Sequence, residues 1–574
     1  MKTIRLSLTP FAFLLLFLLV GLPGAAAQIT DFSSVESLPV QERERQRPFF
    51  TFATESLQSL TGRDEFKEGE TKLSAMQAIF SLWSNPQAWI DKPFILINYG
   101  PLRVDLGLDS QQKRFSIREL TDNATLAGLF TEVDRLEKEK TKLDNKQTEV
   151  RDVAERLHRA RALLDGSAFA MVPPAGQPAH TDHVGGLDSR WLPPSHAAAA
   201  YPGGIGEAIT SSADALLEAY RAGDNAAFQA AASAFSEALE KLPAEGYVHA
   251  SSVMQLETCY QKIHPFGWAG LLYALAAVTL GVTSIAGRRT GYRIAWGLIL
   301  AGFALQVFGF TARIIIGGRG PVTNMYESVI WVAFLAIFFA IILEGIYRSR
   351  LIFLAATPIA FVLLTLADKA PTVLRPSIDP LNAVLRDNFW LSTHVTSITA
   401  GYGAFILALG VGHIILFKTL FRRPVSAPLY NYLYRAMQIG VLLLAIGTLL
   451  GAVWANFSWG RFWDWDPKET WALIALLGYI ALLHGRIAGW WKGFGLAVGS
   501  IIAFLSVIMA WYGVNFVLGE GLHSYGFGTG GVEYVGAFVA LELLFVAVVL
   551  LSVRKRGGGS PSSGSPTRTP ATAP

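Results

Sequence analysis

The residues best suited to chemistry crowd into one stretch, Trp459-Gly460-Arg461-Phe462-Trp463-Asp464-Trp465-Asp466-Pro467-Lys468-Glu469-Thr470-Trp471. Four tryptophans fall within thirteen positions, mixed with acids, a lysine and a proline. Apolar runs flank it on both sides, so the plain reading is a short segment at a membrane surface, where an indole keeps its ring in apolar surroundings and its N–H near water. An interfacial belt, however, places one or two tryptophans at a helix end. A dense set with paired acids better suits a large, flat, apolar ligand with a polar edge, and haem has that form. His394 precedes the stretch and His523 follows it. Imidazole is a good axial ligand for haem iron, and two of them on opposite faces would fill both positions. For either histidine alone, an interfacial hydrogen-bonding role would be the better reading.

Other histidines are less telling. His484 sits in Leu482-Leu483-His484-Gly485-Arg486, near the end of an apolar run, where burial of an ionisable ring is costly and therefore suggestive. His413 lies nineteen residues past His394, roughly 28 Å deeper on a helix. It is a candidate partner for His484, or a simple marker of the inner boundary. His180 and His183 have His-x-x-His spacing, but within the Pro/His-rich loop 172–202, with His196, they read as solvent-exposed rather than metal-binding. The single cysteine, Cys259, allows neither an internal disulfide nor a Cys-x-x-Cys-His haem-attachment motif, so the chain is not itself a c-type cytochrome.

The elements that must position these groups are membrane helices. Over 574 residues the chain is 52% hydrophobic and 16% charged, with mean hydropathy +0.37. Those values favour a polytopic α-helical membrane protein with a sizeable soluble part, and the small net charge of +4 gives no sign of a nucleic-acid partner. Residues 1–28 read as a signal peptide or signal anchor, with Lys2 and Arg5 before the apolar run Phe11–Val20. Residues 29–265 read as an exported, mainly helical soluble region. Extended structure is expected around Ile95, Ile97, Val104 and Leu106. A charged amphipathic helix or helical hairpin is expected over Thr131–Leu164, and alanine-rich helix over Gly206–Leu242. In the charged helix Leu136, Leu143, Val150, Leu157 and Leu164 recur every seven residues, but Lys140 and Gln147 spoil the second apolar column a coiled coil needs.

Nine apolar runs long enough to span follow within 266–556, at about 268–286, 293–312, 327–346, 351–367, 394–417, 436–455, 471–486, 493–513 and 533–553. Basic residues cluster after the odd-numbered runs: Arg288, Arg289 and Arg293, then Arg348 and Arg350, Lys418, Arg422 and Arg423, Arg486 and Lys492, and Arg554, Lys555 and Arg556. Positive charge stays inside, so His394, the tryptophan stretch and His523 all fall on the outer face. Residues 557–574, rich in Gly, Ser, Pro and Thr, read as a disordered cytoplasmic tail.

The Trp465-Asp466-Pro467-Lys468-Glu469-Thr470-Trp471 run resembles the tryptophan-rich "WWD" signature of haem-handling proteins of cytochrome c biogenesis, and the CcsA type in particular. Gly521-Leu522-His523-Ser524-Tyr525 and Gly320–Ser328 resemble further motifs of that family, and the likeness covers roughly Trp268 to Arg556. It implies that His394 and His523 are the external axial ligands of haem b. Trp459, Trp463, Trp465, Asp466 and Trp471 would form its platform, with Pro467, Lys468 and Glu469 completing the motif. With two histidines at family-matching places and the tryptophans between them, ligation becomes the favoured reading. The resemblance also implies that His484 holds haem within the membrane, its second ligand coming from a ResB-type subunit. The expected function is haem delivery and presentation to an apocytochrome c bearing Cys-x-x-Cys-His, as part of a System II cytochrome c synthase forming thioether bonds. The expected place is the bacterial cytoplasmic membrane, with the N-terminal region and haem site facing the periplasm. The alternatives are a CcmC- or CcmF-like haem handler and a transporter of another solute. Arg461, Lys468 and Arg386 are exterior cations suited to haem propionates.

Overall fold

The structure, a computed structural model, describes residues 29–42, 45–139, 141, 143–175, 191–242, 252–286, 289–371, 373–380, 388–519, 521, 523 and 531–557. The expected leader 1–28, His180, His183, Arg386 and the tail past residue 557 lie outside them. The chain divides at Thr258/Cys259 into two compact units.

Among the described residues the N-terminal unit is mainly helical, with three short antiparallel strand pairs: Pro39–Glu42 with Arg45–Pro48, Glu65–Glu68 with Thr71–Ser74, and Ile95–Leu96 with Arg114–Phe115. An aromatic core holds it together, in which Trp83 stacks on Phe169 at 4.1 Å and Phe49 and Phe80 pack edge-on. The charged stretch is a hairpin of two helices, Ala124–Lys138 and Asn145–Leu164. Gln147, which spoils the heptad, closes a capping box with Asp144 that starts the second helix. The alanine-rich segment is also two helices, Ile205–Ala222 and Asn225–Glu240, broken where Gly223 takes a left-handed turn and Asp224 caps the next helix. One expectation fails. Val104 lies in a short helix, Gly100–Asp105, and Leu106 caps its end. Pro101 in the first turn presets a helical φ, and this overrides the β-branched residues nearby.

In the second unit, nine helices among the described residues are long and apolar enough to cross a membrane. They are α1 (Pro265–Ala286), α2 (Arg289–Gly317), α3 (Met325–Tyr347), α4 (Leu351–Lys369), α5 (Asn388–Leu420), α6 (Ala427–Trp459), α7 (Pro467–Ile487), α8 (Gly493–Ile508, which spans together with its continuation to Leu518) and α9 (Val532–Gly557). Their number and order follow the apolar runs. Several extend a turn or more beyond them, because helical hydrogen bonding continues after hydropathy falls. α8 runs on without a break as a π-helix, Met509–Leu518, which brings Trp511 and Asn515 to the same end of the bundle as the start of α5.

A buried ion pair fixes the approach to α3. Arg313 on α2 lies 2.7 Å from Glu327 on α3, and both side chains are almost fully buried. The other guanidinium arm donates to the Tyr260 hydroxyl and the Pro376 carbonyl. The second Glu327 oxygen accepts from the backbone and hydroxyl of Thr323, while Asn324 caps α3 at Glu327. One carboxylate therefore shapes the turn before α3. Removing a single partner of such a pair strands a buried charge. Arg313→Met should accordingly destabilise detergent-solubilised protein by about 3–5 kcal/mol. An unchanged thermal transition would show that the pair carries no such weight.

Candidate functional site

A cleft of about 1120 Å³, counted out to open solvent, is lined by the turn before α3, the start of α5, the ends of α6 and α8, the tryptophan stretch, the start of α7 and His523. His394, Trp463, Lys468, Glu469 and His523 are all among its lining residues.

His394 is set by the packing of α5 on α6. A Cβ at Gly451 would fall 2.4 Å from the imidazole Cε1, so only glycine leaves room for the ring. The ring Nδ1 lies 2.8 Å from the Gly447 carbonyl. A carbonyl only accepts, so Nδ1 is the donor and Nε2 keeps the lone pair. The ring lies nearly parallel to Trp454, with centroids 6.0 Å apart.

His523 is set from α7. Asp466 is the N-cap of that helix and accepts from the Lys468 backbone at 2.9 Å, with Pro467 filling the first turn. The same carboxylate oxygen lies 2.9 Å from His523 Nδ1, and both side chains are largely buried. Here too the partner is an acceptor, so Nδ1 donates, and in the neutral ring the lone pair belongs to Nε2. Gly521 makes this approach possible. It has φ +92°, and a Cβ there would sit 2.2 Å from the other Asp466 oxygen. The imidazole meets Trp459 edge-on at 5.1 Å and is tilted against Trp454 at 5.9 Å.

The other expected platform residues separate. Trp463 lines the cleft and meets Trp465 edge to face at 5.8 Å. Trp465 is 69% exposed, with a left-handed φ of 57° that is rare for a bulky residue. Trp471 is half-buried on α7 and is not among the lining residues. Glu469 lies 3.4 Å from Arg461 through one oxygen and accepts from the Asp464 backbone through the other. Arg461 also meets Asp464 at 3.4 Å.

Sequence reading missed Trp454, which is 1% exposed and packs against His394, Trp459 and His523 together. The signal was there: the run of tryptophans reaches back five residues from Trp459 on the same helix. It also missed Trp511, whose indole donates to the Ser328 hydroxyl at 2.9 Å, and Asn515, both on the cleft wall. Their four-residue spacing at the end of a span was the available clue.

His413 and His484 are not brought together by their contacts. His413 Nε2 lies 3.0 Å from Glu542 on α9, its Nδ1 faces the Leu409 carbonyl, and its ring stacks on Phe545 at 5.3 Å. Both ring nitrogens of His413 therefore face oxygen, and Glu542 has its partner in His413. His484 is exposed on α7 and turns Nδ1 to the Ile480 carbonyl at 2.9 Å.

Comparison with known proteins defines the class first. Residues 322–523 match the profile of the cytochrome C assembly protein family, an interval that begins in the turn before α3 and ends at His523. The CcsA protein of Synechococcus sp. (strain CC9605) is 30% identical over 311 residues, which is 47% of this chain and 99% of that protein. That of Pyropia yezoensis is 32% identical over 321 residues, 48% of this chain and 99% of that protein. The chain belongs to the CcsA family of cytochrome c biogenesis proteins, and its work lies in cytochrome c assembly, which entails handling haem. Protein NrfI of Wolinella succinogenes is 29% identical over 500 residues, 84% of this chain, so that likeness extends into the N-terminal unit. The match spans about half of NrfI, 53% of its length. Among solved structures, the cytochrome c haem lyase CcmF aligns with TM-score 0.39 and 14% identity, over 54% of this chain and 52% of that one.

Two substitutions probe the geometry. Gly451→Ala should overpack the α5–α6 contact and cost about 1–3 kcal/mol, whereas Gly478→Ala, with nothing near its added Cβ, should be neutral or slightly stabilising. Asp466→Ala should cost about 1–2 kcal/mol through the lost cap and the released imidazole, and Asp466→Asn less, because asparagine also caps. Thermal unfolding in detergent reads both series. Equal effects within either pair would contradict the packing described.

Proposed function

We propose that this chain receives haem b and holds it in the cleft between His394 and His523, on the outer face of a bacterial cytoplasmic membrane. There it presents the haem to an apocytochrome c. The cysteine thiols of the partner's Cys-x-x-Cys-His motif add across the two haem vinyl groups and form the thioether bonds. The chain needs no thiol of its own for this; its part is orientation and exclusion of competing ligands.

One observation carries the reading. Two histidines from opposite ends of a long stretch of sequence line one aromatic cleft, each with Nδ1 turned to an oxygen acceptor. Such partners orient imidazoles for metal binding and raise their basicity. The aromatic walls from Trp454 and Trp463 suit a flat apolar ring. The bis-imidazole arrangement would leave ferrous iron no open position for oxygen.

His484, exposed on α7, is the proposed intramembrane ligand, with its axial partner supplied by a ResB-type subunit. His413 is not retained as that partner, since both its nitrogens are already turned to acceptors.

Purification from haem-replete cells should give a preparation with the low-spin spectrum of bis-histidine haem. His394→Ala and His523→Ala should each lower haem content at least tenfold, while His413→Ala should retain it. A colourless wild-type preparation, or ligand variants with full haem content, would defeat the proposal.

A further inference from the structure

The cleft is mostly apolar and carries few charged groups, and their partners can be traced. Lys468 is the single lysine or arginine lining it among the described residues. The acids beside it are engaged elsewhere. Asp466 caps α7 and meets His523, and Glu469 divides its oxygens between Arg461 and the Asp464 backbone. Arg461, the other described cation of the stretch, is turned to Asp464 and Glu469 and does not line the cleft. The Lys468 ammonium feels the charge of Asp466 but makes no hydrogen bond or ion pair with a described residue, although it lines the cleft together with His394. An ammonium on a half-buried, largely apolar surface seeks an anion, and its flexible stem lets it follow one.

We infer that Lys468 reads a carboxylate of the ligand, and so makes the cleft selective for a tetrapyrrole with ionised side chains over the same ring with neutral ones. The inference rests on the haem reading above. Lys468 and the histidines then act separately. The histidines hold the metal, whereas the lysine fixes which edge of the ring faces the start of α7. That orientation decides which edge remains outward, and a charge-assisted pair is strong enough to impose it.

The test compares haem with haem dimethyl ester, which keeps the iron, ring and vinyl groups but has no ionised carboxylate. Full-length protein stripped of haem is titrated with each, and the bis-imidazole bands are followed. Wild type should prefer haem by roughly tenfold or more. Lys468→Gln should bind both ligands with the same bands and nearly equal affinity, and Lys468→Arg should recover part of the preference. If wild type forms the bis-imidazole species but shows no preference, or if Lys468→Gln keeps the wild-type preference, the lysine assignment is wrong and the haem reading stands. If wild type forms no bis-imidazole species with either ligand, both fall together.

Discussion

The site depends on one carboxylate. Asp466 caps α7, and the same oxygen holds His523 from a turn far along the chain. A helix start is among the better-fixed points of a fold, because its first N–H groups need an acceptor. Tying the imidazole to the acceptor that begins the helix gives the ring the precision of the helix rather than of the loop that carries it. The absent side chain at position 521 is the complementary requirement, since any Cβ there would collide with that carboxylate.

The opposite histidine obtains comparable precision by other means. His394 fills a hollow left by Gly451, its Nδ1 meets a helix carbonyl, and Trp454 lies along its face. Trp454 contacts both imidazoles, so the two anchoring systems meet at one indole. Across the cleft, the Arg313–Glu327 pair fixes the third wall through Thr323 and Asn324. Three unlike devices, a cap, a glycine hollow and a buried ion pair, thus converge on a single cavity.

Much of this was legible from the residues. Long apolar runs show spanning helices directly, because hydrophobic length maps onto helix length. The two histidines and the tryptophan stretch stood out by type, and the charge of the intervening loops placed them on one side. What escaped was whatever depends on side-chain direction. Trp465 shares the motif with Trp463 yet points outward, and nothing in the spacing distinguishes them. Trp454 lies inside an apolar run, where its type alone does not mark it out. Glu327 and Glu542 pair with Arg313 and His413 on other helices, and pairing between helices is invisible to periodicity. Val104 was misread because a local proline outweighed the pattern around it.

The widened coil at Met509–Leu518 has a further consequence. Hydrogen bonding to the fifth residue takes up more chain in each turn than an α-helix does, so the angular phase of everything beyond it is reset. The stretch carries Trp511 and Asn515 on the cleft wall and leads towards Gly521 and His523. Loss of one residue from this coil would turn the wall by roughly a quarter of a revolution. Length at this point is therefore under tighter constraint than residue identity, and point substitutions would be borne more easily here than deletions.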